Sequence, residues 1–304
     1  MRIRQDLEVA FGTVKGPVRP DNQDDFLVYE PSSFERLRRE GRLMAVADGM
    51  GGEAGGGEAS RVALRALLAG YLRVSEGEEA EFGEAFPVDQ RLRMAFRSSC
   101  HAVARAAREN RDLKNMGTTL TAVVISRGRL HGVHAGDSGC LLVRDGRLVW
   151  LSSMHSSPTS QHALTRAVGA GKDEEEPEQF EEELSTGDRL LLLTDGFWRV
   201  FDEDEILAAV GELDAREIVE NLLSEAVSRN CTDNSTVILV CYREPEDRAL
   251  KAALVEPVAT GRVTQSRILL AENRVWPRLW PWLMLGMGLL LAGMAWMAKA
   301  GWIR

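Results

Sequence analysis

The stretch VADGMGGEAGGGEAS, residues 46–60, decides how the rest of the chain is read. An apolar run, LMAVA at 43–47, feeds into it, and a helical pattern, EASRVALRALLAGYL at 58–72, follows. Strand, glycine loop and helix is the layout of a phosphate-binding loop, in which backbone N–H groups at a helix N-terminus receive the anion. Yet Asp48 stands at the mouth of this loop, with Glu53 and Glu58 further in. A Walker loop needs Lys and then Ser or Thr after its last glycine, and here Gly57 is followed by Glu58 and Ala59. A dinucleotide loop through Gly49, Gly51 and Ala54 would put Asp48 where the pyrophosphate lands. The stretch reads better as a metal loop. Its acid would hold cations, and its glycines would let the backbone turn sharply beside them and free a carbonyl as a ligand.

Outward from the loop, apolar runs at 43–47, 119–126, 130–136, 139–144, 147–151, 189–194 and 235–242 predict strands. Many are rich in Val, Ile and Leu, as in strands covered by helices. Helical patterns lie at 57–72 and within 88–109, and a third starts at Asp214, with Glu217 three residues on as a capping-box pair. Turns SRGRL (126–130) and RDGRL (144–148) predict hairpins and hence antiparallel pairing. Helices set apart from hairpins predict α+β layers. Residues 172–183 (KDEEEPEQFEEE) read as a solvated loop or a sheet edge.

With 304 residues, the chain is long enough for a sizeable core. A net charge of −9 does not suggest a nucleic-acid partner. Cys100, Cys140, Cys231 and Cys241 form no CxxC pair and read as reduced and mostly buried. MRIRQDLEVAFG has no apolar core of a secretory signal.

Aspartates punctuate the strands: Asp48, Asp137 and Asp195 close apolar runs, and Asp233 opens one. In antiparallel strands the end of one lies near the start of its neighbour, so these carboxylates are expected at one sheet edge. Clustered carboxylates repel unless protonated or bridged by a cation. All-oxygen ligands suit Mg²⁺ or Mn²⁺.

At this point the sequence resembles the metal-dependent protein phosphatases of type 2C, the PPM family, in their bacterial form. The resemblance covers roughly residues 10–242. It rests on Arg19-Pro20-Asp21-Asn22-Gln23-Asp24, ADGMGG with its trailing GEAS, Gly117-Thr118-Thr119, GDS at 136–138, TDG at 194–196 and DN at 233–234, in that order. It implies two packed, mainly antiparallel sheets flanked by helices, an α-β-β-α sandwich. It also implies a binuclear Mg²⁺ or Mn²⁺ centre where a metal-bridging water attacks phosphoserine or phosphothreonine in proteins. Asp48 would bridge both ions, Gly49 would lend its carbonyl, and Asp195 and Asp233 would complete the set. Arg19 would grip the substrate phosphate. Asp24 would support the site from behind, and Gln23 would act through a water.

A third ion in the family uses the aspartates that match Asp137 and Asp195, often with an acid at the position of Arg199, so this third site is expected to be weak or absent. Met50 stands where some members carry a histidine, Gly139 where GDSR is usual, and Met154 where DHS is usual. The flap between there and LTRAVG (164–169) is expected to be short. These departures motivate the alternative, a catalytically weak phosphatase-like module that binds a phosphoprotein at the membrane. His134 reads as a strand or loop filler.

The membrane enters through the C-terminus. Leu279–Ala298 is an uncharged run about as long as a bilayer core is thick, with Trp276, Trp280 and Trp282 at one end and Trp302 at the other. Arg262, Arg267, Arg274 and Arg278 precede it, which points the N-terminal side to the cytoplasm. The expected organisation is a phosphatase domain at 1–243, a linker at 244–275 and an anchor at 276–304. The expected place is the bacterial inner membrane, single-pass, opposite a Ser/Thr kinase.

Overall fold

A computed structural model describes residues 7–51, 55–75, 86–157, 160–211, 214–229, 231–243 and 267–270. The expected membrane run, Leu279–Ala298, and Glu53 lie outside them. Among the described residues no helix is long and apolar enough to cross a membrane.

In chain order the elements are β1 (Leu7–Val14), β2 (Asp24–Glu30), α1 (Phe34–Glu40), β3 (Arg42–Met50), α2 (Gly55–Ser75) and α3 (Val88–Glu109). Then come β4 (Gly117–Thr118), β5 (Leu120–Ser126), β6 (Arg129–Ala135), β7 (Gly139–Arg144), β8 (Arg147–Trp150), β9 (Ser156–Ser157), β10 (Ser160–Leu164), β11 (Val168–Gly169) and β12 (Glu178–Glu183). The chain continues through β13 (Arg189–Leu193), α4 (Asp195–Trp198), α5 (Glu203–Ala209), α6 (Ala215–Ser228), β14 (Ser235–Tyr242) and β15 (Arg267–Leu270).

One sheet has the order β1-β14-β13-β7-β8. The other runs β11-β4-β3-β5-β6-β12, with β2 on β3 and β15 on the far side of β2. The pairings are antiparallel throughout. Part of the stretch expected to be linker, Arg267–Leu270, is thus a strand.

The layers follow from period-two alternation. Leu43, Ala45 and Ala47 of β3 pack with Ala63, Leu64, Leu67, Leu92 and Phe96 of α2 and α3. Leu191 and Leu193 of β13 and Val237 and Leu239 of β14 pack with Ile218, Leu222 and Ala226 of α6. The alternate residues Met44, Val46, Leu190, Leu192, Ile238 and Val240 are also buried, but in neither helix-side core. They fill the seam between the sheets, which Phe11 and Phe26 also join, with ring centroids 4.9 Å apart. Strands covered on both faces explain the continuous apolar runs.

The two foreseen hairpins close through Arg127-Gly128 and Asp145-Gly146, all four residues at positive φ. That is the turn whose twist matches its flanking strands. Asp214 caps α6 by accepting from the Arg216 N–H. The full reciprocal box forms one helix earlier, at Asp202 and Glu205. The acidic run resolves into a loop, where Asp173 and Glu176 meet Arg108 and Arg97 of α3, followed by the edge strand β12. All four cysteines are free thiols, and three of them are buried.

Candidate metal centre

Antiparallel register gathers the acids. Asp24 at the start of β2 lies directly across from Asp48 near the end of β3. Leu193, at the end of β13, pairs with both Gly139 of β7 and Val237 of β14. Asp195 follows that end, Asp137 precedes β7 and Asp233 precedes β14. One cleft of about 390 Å³ is lined by Arg19, Gln23, Asp48, Gly49, Asp137, Asp195 and Asp233, with Thr119, Met50 and Leu164 among the remaining walls. Asp24 lies behind the cleft and is buried.

Backbone geometry fixes the two central residues. The Asp48 N–H donates to Thr119 Oγ1 at 2.9 Å, and the Asp48 carbonyl accepts from Thr118 Oγ1 and from the Thr119 N–H, both at 2.9 Å. Gly49 has no room for a side chain, because a Cβ there would meet the Gly56 carbonyl oxygen at 2.1 Å. The Gly49 N–H donates to the Gln23 carbonyl, joining the metal loop to the start of β2.

The carboxylates divide by their partners. Asp24 Oδ2 accepts from Thr194 Oγ1 at 2.8 Å and Thr236 Oγ1 at 2.7 Å. Its Oδ1 is buried without a hydrogen-bond partner, as is Oδ1 of Asp195. Asp233 accepts from the Asn234 N–H through Oδ1 and from Arg19 Nη2 through Oδ2, at 2.8 and 2.5 Å. Burial pushes Asp24 up to about 7 against its two threonine hydrogen bonds, and Asp195 and Asp233 add to the rise. Burial, then the charges of Asp24, Asp195, Asp233 and Asp137, hold Asp48 well above the usual carboxylate range. Burial and then Asp195 raise Asp137 to about 6, with Arg199 opposing. Mutual repulsion on this scale calls for a cation. Two buried carboxylate oxygens without donors, in an all-oxygen set, fit hard divalent ions such as Mg²⁺ or Mn²⁺.

The sequence alone assigns the threonines no role. Gly117-Thr118-Thr119 carried a motif without a role, and Thr194 and Thr236 carried no signal beyond standing near Asp195 and Asp233. His134 is buried, with Nδ1 at 2.8 Å from Thr121 Oγ1 and its ring stacked on His155. Among the described residues His134, His155 and Glu178 are the one group of three whose ligand atoms all lie within 4.8 Å of one another, closer than any three acids of the cleft stand. However, His134 Nε2 faces the carbonyls of Gly136 and Ser153, and a nitrogen donating there has no lone pair for a metal. Burial, then His155, lowers His134 to about 4. It is a satisfied core histidine that holds the turn before Asp137.

Fold and acids together define the class: two helix-covered antiparallel sheets with a carboxylate-lined cleft at one end, the architecture of a metal-dependent phosphatase. The chain belongs to the protein phosphatase 2C family, whose model matches residues 21–233. It is 30% identical to the serine/threonine protein phosphatase PstP of Mycobacterium tuberculosis over 256 residues, which is 78% of this chain and 45% of that protein. The chain thus spans less than half the length of that relative. The serine/threonine phosphatase stp of Listeria monocytogenes is 28% identical over 77% of this chain and 95% of its own length. The crystal structure of the PstP catalytic domain in complex with two manganese ions superposes with a TM-score of 0.64 at 30% identity, covering 79% of this chain and 99% of that one.

Proposed function

We propose that the chain removes phosphate from phosphoserine and phosphothreonine in proteins, at a pair of Mg²⁺ or Mn²⁺ ions held by Asp48, the Gly49 carbonyl, Asp195 and Asp233. The observation that carries this reading is the pair of buried, unpartnered oxygens, Asp24 Oδ1 and Asp195 Oδ1, at the end of the fold where five aspartates converge. Such an ion pair supplies a water acidified to near neutrality and positive charge for the phosphoryl oxygens.

The residues of the chain do the rest. Thr118 and Thr119 hold the Asp48 backbone. Thr194 and Thr236 fix Asp24 behind the ligands, and Gln23 acts through a water. Arg19 stands half exposed at the cleft, with its charge stabilised by Asp233. Its planar fork suits a phosphate dianion, and a substrate there draws it from Asp233. The short β9–β10 hairpin stands for the flap and brings Leu164 to the cleft wall. A pure binding module has no use for so many clustered acids with open oxygens. With Mn²⁺, the full chain is expected to hydrolyse a phosphothreonine peptide, and a chelator or Asp48→Asn should abolish this. Activity that survives either would reject the centre, and inactivity in every metal would favour the phosphoprotein-binding module.

The same proposal places the catalytic part on the cytoplasmic side of a bacterial inner membrane, opposing a Ser/Thr kinase. The uncharged run Leu279–Ala298, its flanking tryptophans and the arginines before it support this. Deletion after Arg274 is expected to move the protein to the soluble fraction, and unchanged recovery with membranes would overturn the anchor.

A further inference from the structure

We propose that Arg199 is a built-in cation which occupies the Asp137–Asp195 acid pair, so that the cluster holds two divalent ions and excludes a third. This rests on the metal-centre reading above.

Arg199 follows α4 directly. Its Nε lies 3.1 Å from Asp195 Oδ2, and its Nη2 lies 3.5 Å from Asp137 Oδ2. One guanidinium therefore spans two members of the cluster that an ion would otherwise share. Asp195 keeps only its buried Oδ1 without a hydrogen-bond partner, while its other oxygen belongs to Arg199.

The guanidinium is held in place from the rear. It stacks on Trp198, 5.1 Å from the ring centroid. Trp198 Nε1–H in turn donates to the Asp137 carbonyl at 2.9 Å, so one residue clamps both the arginine and the acid it meets. Trp150 meets the Trp198 ring edge-on, with centroids 6.0 Å apart at 86°. Trp150 can stand there because residue 139 is glycine: a Cβ would come within 2.4 Å of Trp150 Cζ3. Gly139, Trp150, Trp198 and Arg199 thus form a single device, from a glycine on β7 to a cation on two acids.

Charge balance agrees. Asp24, Asp48, Asp137, Asp195 and Asp233 carry five negative charges when ionised; two divalent ions supply four positive charges and the guanidiniums of Arg199 and Arg19 two more, so no negative charge is left for a third divalent ion. A further divalent ion at Asp137 would have to displace the guanidinium or sit beside it, where like charges repel strongly in a partly buried site. Unlike a weakly held ion, a tethered guanidinium does not dissociate. Asp137 and the 136–138 turn are therefore fixed whatever the free metal concentration.

The test is manganese stoichiometry of the full chain by equilibrium dialysis with elemental analysis, over micromolar to millimolar Mn²⁺. Wild type is expected to plateau at two ions, and Arg199→Lys, which keeps the charge, also at two. Arg199→Asp, which returns an acid to the pair, is expected to plateau at three. Three ions on wild type overturn the proposal whatever the variants do, and so does a correctly folded Arg199→Asp that stays at two. No binding at all would overturn the metal-centre reading with it. Binding of three by wild type would leave that reading standing and remove this inference alone.

Discussion

Strands β7 and β13 lie side by side, and their two ends treat buried aspartate in opposite ways. At one end Asp188, just before β13, is 2% exposed. Arg144, the last residue of β7, donates Nε to its Oδ1 at 2.8 Å and Nη2 to its Oδ2 at 2.7 Å. The Ser185 N–H bonds it as well. Both oxygens are met in fork geometry. At the other end Asp137 and Asp195 flank the same two strands beside Asp24, Asp48 and Asp233, with two buried oxygens left unpartnered. A buried carboxylate alone says little about function. What marks the functional end is burial without enough donors, a state that costs stability until a cation arrives.

The largest expected effect breaks the contrast on the functional side. Asp195→Asn should lower kcat/KM on a phosphothreonine peptide by at least about 100-fold at fixed Mn²⁺. Near-normal turnover would show that this end is no more than a tight surface cluster.

The next effect is a pH dependence that only this end should show. The folded chain holds protons on Asp24, at about 7, and on Asp48, shifted the same way, that the unfolded chain releases near pH 4. Folding stability without metal therefore falls as pH rises through that window. The melting temperature of the metal-free protein is expected to drop relative to Asp48→Asn between about pH 4 and pH 7, and Mn²⁺ should restore it most at the upper end. Parallel melting curves for the two proteins across that window would refute the repulsion.

On the structural side, Asp188→Asn leaves Arg144 without its forked partner and should cost about 2 to 3 kcal/mol in urea unfolding. Activity per folded molecule should stay unchanged. A change in KM or metal demand would show that the two ends are coupled. Smallest is Gly146→Ala in the β7–β8 turn, at φ 68° with nothing within 4 Å of a new Cβ. The left-handed backbone alone sets its cost, about 1 kcal/mol, and a loss much larger than that would mean the turn carries more than its own strain.

What was legible in the sequence was whatever local chemistry announces. Strands buried on both faces, such as β5, β13 and β14, show as runs rich in Val, Ile and Leu. The hairpin turns show as RG and DG. The acids show as punctuation at the ends of apolar runs, and antiparallel geometry brings those ends together. The rest depends on partners far along the chain. β2 opens with Asp24-Asp25, which reads as a loop until its register puts Asp24 across from Asp48. β1 is half-buried and lacks a continuous apolar run. Arg199 could be seen only as the lack of an acid. That it reaches two acids depends on Trp198, Trp150 and a glycine sixty residues before it.

The strand β12 has a consequence of a different kind. EQFEEE closes one border of the larger sheet, alternating half-buried and exposed residues and, among the described residues, pairing only inward, to β6. Its glutamates are held by ion pairs and by a histidine: Glu181 and Glu183 meet Arg129, Glu182 meets Arg144 and Glu178 meets His155. Charged side chains along a sheet edge are one of the devices by which proteins discourage a neighbour from adding a strand. What reads in one dimension as a featureless acidic run is, in three, a charged sheet border tied by ion pairs to Arg129 of β6 and Arg144 of β7.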